Sequence, residues 1–150
     1  MGTYSRVGYF VLASSWLAFI AALCMPVFYI DSFEVKELYG MNFVSVGVFE
    51  CFFWLANPLL LLATACIKTR RNEMAVIASG IAGFIAGTSF FRKTVIIDEA
   101  GAVAKIDGYG LGFYLWVAAF VLSFIASCIL CFALNNGRPQ PEKDGVCSKN

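Results

Sequence analysis

Apolar residues in this chain neither alternate with polar ones nor keep to one helical face; they run on, broken by short polar intervals. Four runs, residues 7–30, 42–67, 74–91 and 110–134, are long enough to cross a hydrocarbon core, which takes about 20 residues and tolerates roughly 17 to 25. Residues 7–30 exceed the core of a secretory signal and end in no small-x-small cleavage site, and Leu23 stands where a lipoprotein site at Cys24 needs a small residue. They are therefore read as a first transmembrane helix. Short connections force neighbouring helices to run antiparallel. The pattern predicts an all-α membrane protein: one domain over residues 1–134, an antiparallel four-transmembrane-helix bundle.

Small residues at four-residue spacing let helices approach closely in lipid, where the hydrophobic effect does not drive association. Ala75, Ser79, Gly83 and Gly87 supply such a stripe in the third run, Ala119, Ser123, Ser127 and Cys131 in the fourth, and Ser14, Ala18 and Ala22 in the first. They predict a tightly packed bundle, and equally serve a homo-oligomer.

The outer loops are residues 31–41 and 92–109. In "KTVIIDEAGAVAKIDGYG", the β-branched run 94–97 precedes Asp98-Glu99-Ala100-Gly101, a type I turn pattern, and then 102–106. This predicts a small β-hairpin. An isolated hairpin is marginal in water, and the alternation at Phe33, Glu34, Val35 and Lys36 offers a third strand. A compact extracytoplasmic β-hairpin cap follows; the alternative is a loop lying on the lipid surface. Residues 135–150, rich in Gly, Pro and charge, predict a disordered cytoplasmic tail.

Composition agrees with the runs: 60% of the 150 residues are hydrophobic and 14% charged, with a mean hydropathy of +0.77, where soluble domains carry about 25% charged residues. The net charge of +1 says little about partners. The distribution of cations says more. With both termini on one side, that side holds Arg6, Lys68, Arg70, Arg71, Arg138, Lys143 and Lys149, and the other holds Lys36, Arg92, Lys93 and Lys105. The positive-inside rule then places both termini in the cytoplasm. Five of the six cysteines lie in or at the ends of the apolar runs and Cys147 lies in the tail, so no extracytoplasmic disulfide framework is expected.

The chain has no histidine, which removes Ser–His nucleophile pairs, histidine metal sites and the commonest general base. No catalytic set, metal site or cofactor motif is nominated. Gly108-Tyr-Gly-Leu-Gly112 looks like a phosphate loop only in composition and is read as the lead into the fourth helix; no nucleic-acid partner is expected.

Within the second run stands Glu50. An ionisable group inside a membrane segment is by default a functional-site hypothesis. Glu50, Trp54, Asn57 and Leu61 share one helical face, and Pro58 predicts a kink that frees backbone carbonyls beside Asn57. Glu50 alternatively lies wet at the outer interface, or is neutralised by Arg92 or Lys93. Tyr9, Tyr29, Tyr39, Tyr109, Tyr114 and Trp116 lie near the ends of the runs, where an interfacial belt is expected; Tyr114 and Trp116 alternatively shape a pocket with Phe90 and Phe91.

A first run closing on Pro26 and "YID", then "WLANPL" at 54–59 and "KIDGYGLGFYLW" at 105–116, resembles small four-helix inner-membrane proteins of bacteria over residues 7–134. The resemblance implies placement in the bacterial inner membrane and assigns no residue a role.

Two functions lead, and an enzyme stands third because no catalytic set can be nominated. One is an interaction protein, an accessory subunit or an immunity-type protein, binding a membrane or secreted polypeptide through its outer loops, with Asp98, Glu99 and Lys105 as contact candidates. The other is a small oligomeric transporter, channel or lipid-binding protein using Glu50 and Asn57, with Trp54 and Arg92 beside them.

Overall fold

The computed structural model of the protein describes residues 3–31, 37–41, 51–96 and 103–136. Helix α1 (Thr3–Leu23) leads into strands β1 (Pro26–Asp31) and β2 (Glu37–Tyr39); α2 (Cys51–Trp54) and α3 (Ala56–Lys68) follow, then α4 (Asn72–Thr88) with a 3-10 turn at Ser89–Phe91, β3 (Thr94–Ile96), β4 (Val103–Tyr109) and α5 (Leu111–Asn136). Three helical stretches, Tyr4–Leu23, Asn72–Phe91 and Leu111–Ala133, are long and apolar enough to cross a membrane, and Ala56–Lys68 is a shorter apolar helix. At 1.5 Å per residue, 20 residues reach about 30 Å and 13 residues about 20 Å.

The first helix stops at Leu23, not at residue 30. Pro26 has no N–H to continue the helical ladder and disfavours helical geometry at Met25. The last turn tightens through Cys24 N–H to Ala21 O (3.1 Å) and Met25 N–H to Ala22 O (3.4 Å). "PVFYID" then becomes the inner strand β1 of an antiparallel sheet ordered β2-β1-β4-β3. Val27, Phe28 and Ile30 are buried there. Hydropathy alone does not separate a membrane helix from a buried strand, so the run read as one element contains both.

The expected hairpin is present as β3 paired with β4, Thr94 opposite Lys105, Val95 opposite Ala104 and Ile96 opposite Val103. Its turn, residues 97–102, lies outside the described residues, as do residues 32–36, the stretch expected to give a third strand, and the tail from 137. Among the described residues, the additional strands β1 and β2 lie on either side of 32–36.

The sheet lays one face on the helices. Phe28, Ile30, Leu38, Val95 and Ala104 point inward and pack around Phe113 in the first turn of α5. Two glycines permit this close seat. A Cβ at Gly110 would collide with the carbonyl oxygen of Pro26, and one at Gly40 with that of Ala22. Gly110 also donates its N–H to Val27 O (2.9 Å) and Gly40 to Met25 O (3.2 Å). Gly110 and Gly112 of "GYGLG" therefore serve close contact with residues 22–26, where α1 gives way to β1.

Helices α1 and α5 are antiparallel partners: Gly8 lies against Leu130, and Ser15 Oγ donates to Ala119 O at 2.7 Å. Trp16 Nε1 donates to Thr64 Oγ1 (3.2 Å), tying α1 to α3, and Asn72 Nδ2 donates to Leu130 O (3.1 Å), tying α4 to α5. Ala75, Ser79, Ala119, Ser123 and Ser127 from the expected stripes are buried. Gly83 and Gly87 are not part of the packing, for a Cβ at either would meet nothing within 4 Å. A spacing of four drifts off a 3.6-residue turn, and Ala82, Ile85 and Ala86 take the inner face instead. The outer surface carries Phe10, Leu17, Leu62, Ile77, Phe84 and Phe132.

Gly110→Ala should lower the thermal unfolding midpoint, at a cost of about 1 to 3 kcal/mol for forcing backbone apart. Gly83→Ala should hold or raise it, by up to about 1 kcal/mol, because an unpacked helical glycine gains from a methyl group. Circular dichroism melts of both variants in one detergent check the contrast.

Candidate functional site

The second apolar run is interrupted at Leu55, between α2 and α3. Pro58 explains the position: its ring presses on the carbonyl four residues back, that of Trp54, and it cannot donate to it. In α3 itself Pro58 occupies the first turn, where a missing N–H costs little. The break leaves Asn57 pointing across the bundle, where its Oδ1 accepts from Trp116 Nε1 at 3.1 Å. Trp116 is 8% exposed. It belongs to the interior and not to an interfacial belt.

Above this pair, between cap and bundle, lies a narrow crevice of about 440 Å³ counting its mouth, whose walls include Val27, Phe53, Asn57, Ser89, Arg92, Phe113 and Trp116. The Arg92 guanidinium carbon stands 4.4 Å from the centre of the Phe53 ring, a cation–π contact worth about 0.5 to 2 kcal/mol depending on desolvation. Burial pushes the guanidinium below its ordinary range, against a smaller opposing influence from Tyr109; an arginine stays charged regardless. The Tyr109 hydroxyl lies 2.9 Å from Phe90 O and 3.0 Å from Arg92 O and donates its proton to these carbonyls, which follow the end of α4. Phe90, Tyr109 and Phe113 form one aromatic group, with Phe90–Phe113 centroids at 4.8 Å and Tyr109–Phe113 at 4.5 Å.

A second opening, about 610 Å³ counting its mouth, is a groove between α1 and α2–α3 lined by Trp16, Phe19, Leu23, Trp54, Asn57, Pro58 and Leu61. Trp54 Nε1 is buried and has no hydrogen-bond partner among the described residues. Trp54, Asn57 and Leu61 thus share one wall, as their spacing predicts.

The outward face of the sheet is a separate surface. Tyr29, Glu37, Tyr39, Thr94, Val103, Lys105 and Asp107 are exposed on it. Tyr39 Oη donates to a Glu37 carboxylate oxygen at 3.1 Å; that hydrogen bond, reinforced by the negative charge of Glu37, holds the Tyr39 hydroxyl above its ordinary pKa. The hydroxyl therefore remains a neutral donor at physiological pH.

Of the residues nominated from sequence, the structure gathers Asn57 and Arg92 at the crevice and Trp54 with Asn57 at the groove, and puts Lys105 on the sheet face. Glu50, Asp98 and Glu99 lie outside the described residues. Among the described residues no three His, Cys, Asp or Glu side chains converge. Phe53 and Phe113 escaped the sequence reading, which assigned Tyr109 to an interfacial belt. The spacing Phe113, Trp116, Phe120, which repeats on one face of α5, was the signal for Phe113. No protein-family model matches the chain, and no curated protein matches it.

Asn57 and Trp116 should be coupled. Asn57→Leu and Trp116→Phe each leave one polar partner unsatisfied, whereas the double variant removes both. A double-mutant cycle in detergent should give a coupling of about 1 kcal/mol, within the roughly 0.6 to 1.7 kcal/mol of interhelical hydrogen bonds in membrane proteins.

Proposed function

We propose that this is a small polytopic inner-membrane interaction protein, an accessory subunit or an immunity-type protein, which binds a membrane or secreted polypeptide with its sheet cap. The observation that carries this reading is the two-sided character of the sheet. One face is fixed on the helices through Phe28, Leu38, Val95 and Phe113, while the other presents Tyr29, Tyr39, Val103, Lys105 and Asp107. Tyrosine supplies large contact area with few rotatable bonds and is enriched at interfaces. A rigid display of this kind suits recognition, and a loop lying in the lipid surface does not need it.

The reading includes an orientation. The end of the bundle away from the cap carries Arg6, Lys68, Arg70 and Arg71, all exposed. The positive-inside rule places that end in the cytoplasm and the cap outside it. The apolar exterior, with Phe10, Leu17 and Phe84 each more than two-thirds exposed, supports burial of the helices in lipid.

Two measurements test the proposal. In intact cells, a membrane-impermeant maleimide should label Asp107→Cys and spare Arg70→Cys; the reverse pattern refutes the orientation. A tagged chain purified in mild detergent should bring down a stoichiometric second polypeptide. Tyr29→Ser with Lys105→Glu should lose that polypeptide at least tenfold while membrane abundance stays unchanged. Undiminished capture by the variant refutes the role of the cap.

A further inference from the structure

The groove between α1 and α2–α3 has a form that the cap-binding reading does not use. Trp16, Phe19 and Leu23 make one wall and Pro58 and Leu61 the other. Leu61 is 59% exposed, so the groove opens sideways on the apolar flank of the bundle. Leu23 and Asn57 also line the crevice beneath the cap, whose wall includes Arg92. An apolar slot therefore leads to a polar end.

Hydrogen-bond donors mark that end. Asn57 Oδ1 is occupied by Trp116, which turns the amide N–H groups of Asn57 away from that bond. Trp54 Nε1 is buried without an acceptor among the described residues. In hydrocarbon no water serves such groups. What the site lacks is an acceptor carried on an apolar chain.

We propose that the groove binds one acyl chain of a membrane phospholipid, with an ester carbonyl accepting from Asn57 or Trp54 and the phosphate directed toward the Arg92 side of the crevice. The groove itself offers about 250 Å³ of fillable space, near the lower end of the roughly 300 to 1,000 Å³ of ligand sites, whereas the crevice offers only about 20 Å³, so the phosphate stays at its mouth. Because Trp54 Nε1 is screened in the empty groove, occupancy includes a turn of the indole. A second copy of the chain fits less well. A helix is about 10 Å wide with its side chains and packs on shallow faces of small residues, whereas these walls are aromatic and branched.

The test uses the full chain in nanodiscs of palmitoyl-oleoyl phosphatidylglycerol, released and weighed by native mass spectrometry. The wild type should retain one phospholipid per chain. Leu61→Trp, which fills the slot at an exposed position and leaves Asn57 and Trp116 intact, should retain at least tenfold less, with an unchanged circular dichroism spectrum. A diether analogue with matching chains, which has no ester carbonyl, should be held several-fold more weakly by the wild type. Equal lipid retention by wild type and Leu61→Trp, a wild type without bound lipid, or a lipid-free dimer overturns the proposal. Equal retention of ester and diether lipids overturns the assignment of the carbonyl to these donors.

Discussion

Phe113 joins the two halves of this molecule. Its ring is fully buried in the first turn of α5, with Phe28 of the sheet at 5.6 Å, Phe90 at 4.8 Å and Trp116 at 6.3 Å between centroids. Trp116 passes the contact on to Phe120 at 4.9 Å, and Phe120 to Phe19 of α1 at 6.4 Å. A continuous aromatic column thus runs from the sheet into the bundle. The sheet keeps one position because its inner face closes on this column, and the crevice exists because rings of this size leave a gap where Asn57 and Arg92 enter.

Below the column the rules of packing change. Ser15, Ser79, Ser123 and Ser127 are buried together with alanines and with Leu12, Leu60, Ile67, Ile85 and Leu130, while Phe10, Leu17, Phe84 and Phe132 are turned outward. In water that distribution would be costly. On the proposed placement in lipid, outward rings meet hydrocarbon, and Ser79 and Ser127 donate to Ala75 O (2.7 Å) and Ser123 O (2.9 Å), while Ser123 Oγ is buried with no partner among the described residues. The cap, by contrast, is organised as a soluble sheet, apolar beneath and polar above. On the proposed placement one short chain meets two solvents, and the aromatic column joins the part suited to each.

Much of this was legible in the sequence because length and hydropathy speak directly about hydrocarbon. The long helices, the pairing of β3 with β4 and the common wall of Trp54, Asn57 and Leu61 follow from run length, turn chemistry and helical period. Other features depend on contacts that no local pattern encodes. Pro26 warned of the end of α1, but only the partners β2 and β4 make "VFYI" a strand. The motif Gly83-x-x-x-Gly87 has the spacing of a packing face, and helix rotation turns it outward. Trp116 sits where belt residues sit, and its hydrogen bond to Asn57 depends on a break that Pro58 causes in another helix. Arg92 was visible as a cation near a helix end; its seat over Phe53 was not.

The turn between α3 and α4 ends the helix with Arg70 N–H bonded to Ile67 O (3.1 Å) and Arg71 N–H to Cys66 O (2.8 Å), and Arg70 holds a φ of 59°. Glycine adopts that left-handed conformation freely, whereas a residue with a side chain gives up about 1 to 2 kcal/mol. The backbone hydrogen bonds that close the turn offset this cost, while the Arg70 side chain itself is exposed. On the proposed orientation, its guanidinium stands with those of Lys68 and Arg71 at the connection that the positive-inside rule counts. One short turn then has two duties, to close α3 with backbone hydrogen bonds and to hold a cluster of cations at the cytoplasmic edge.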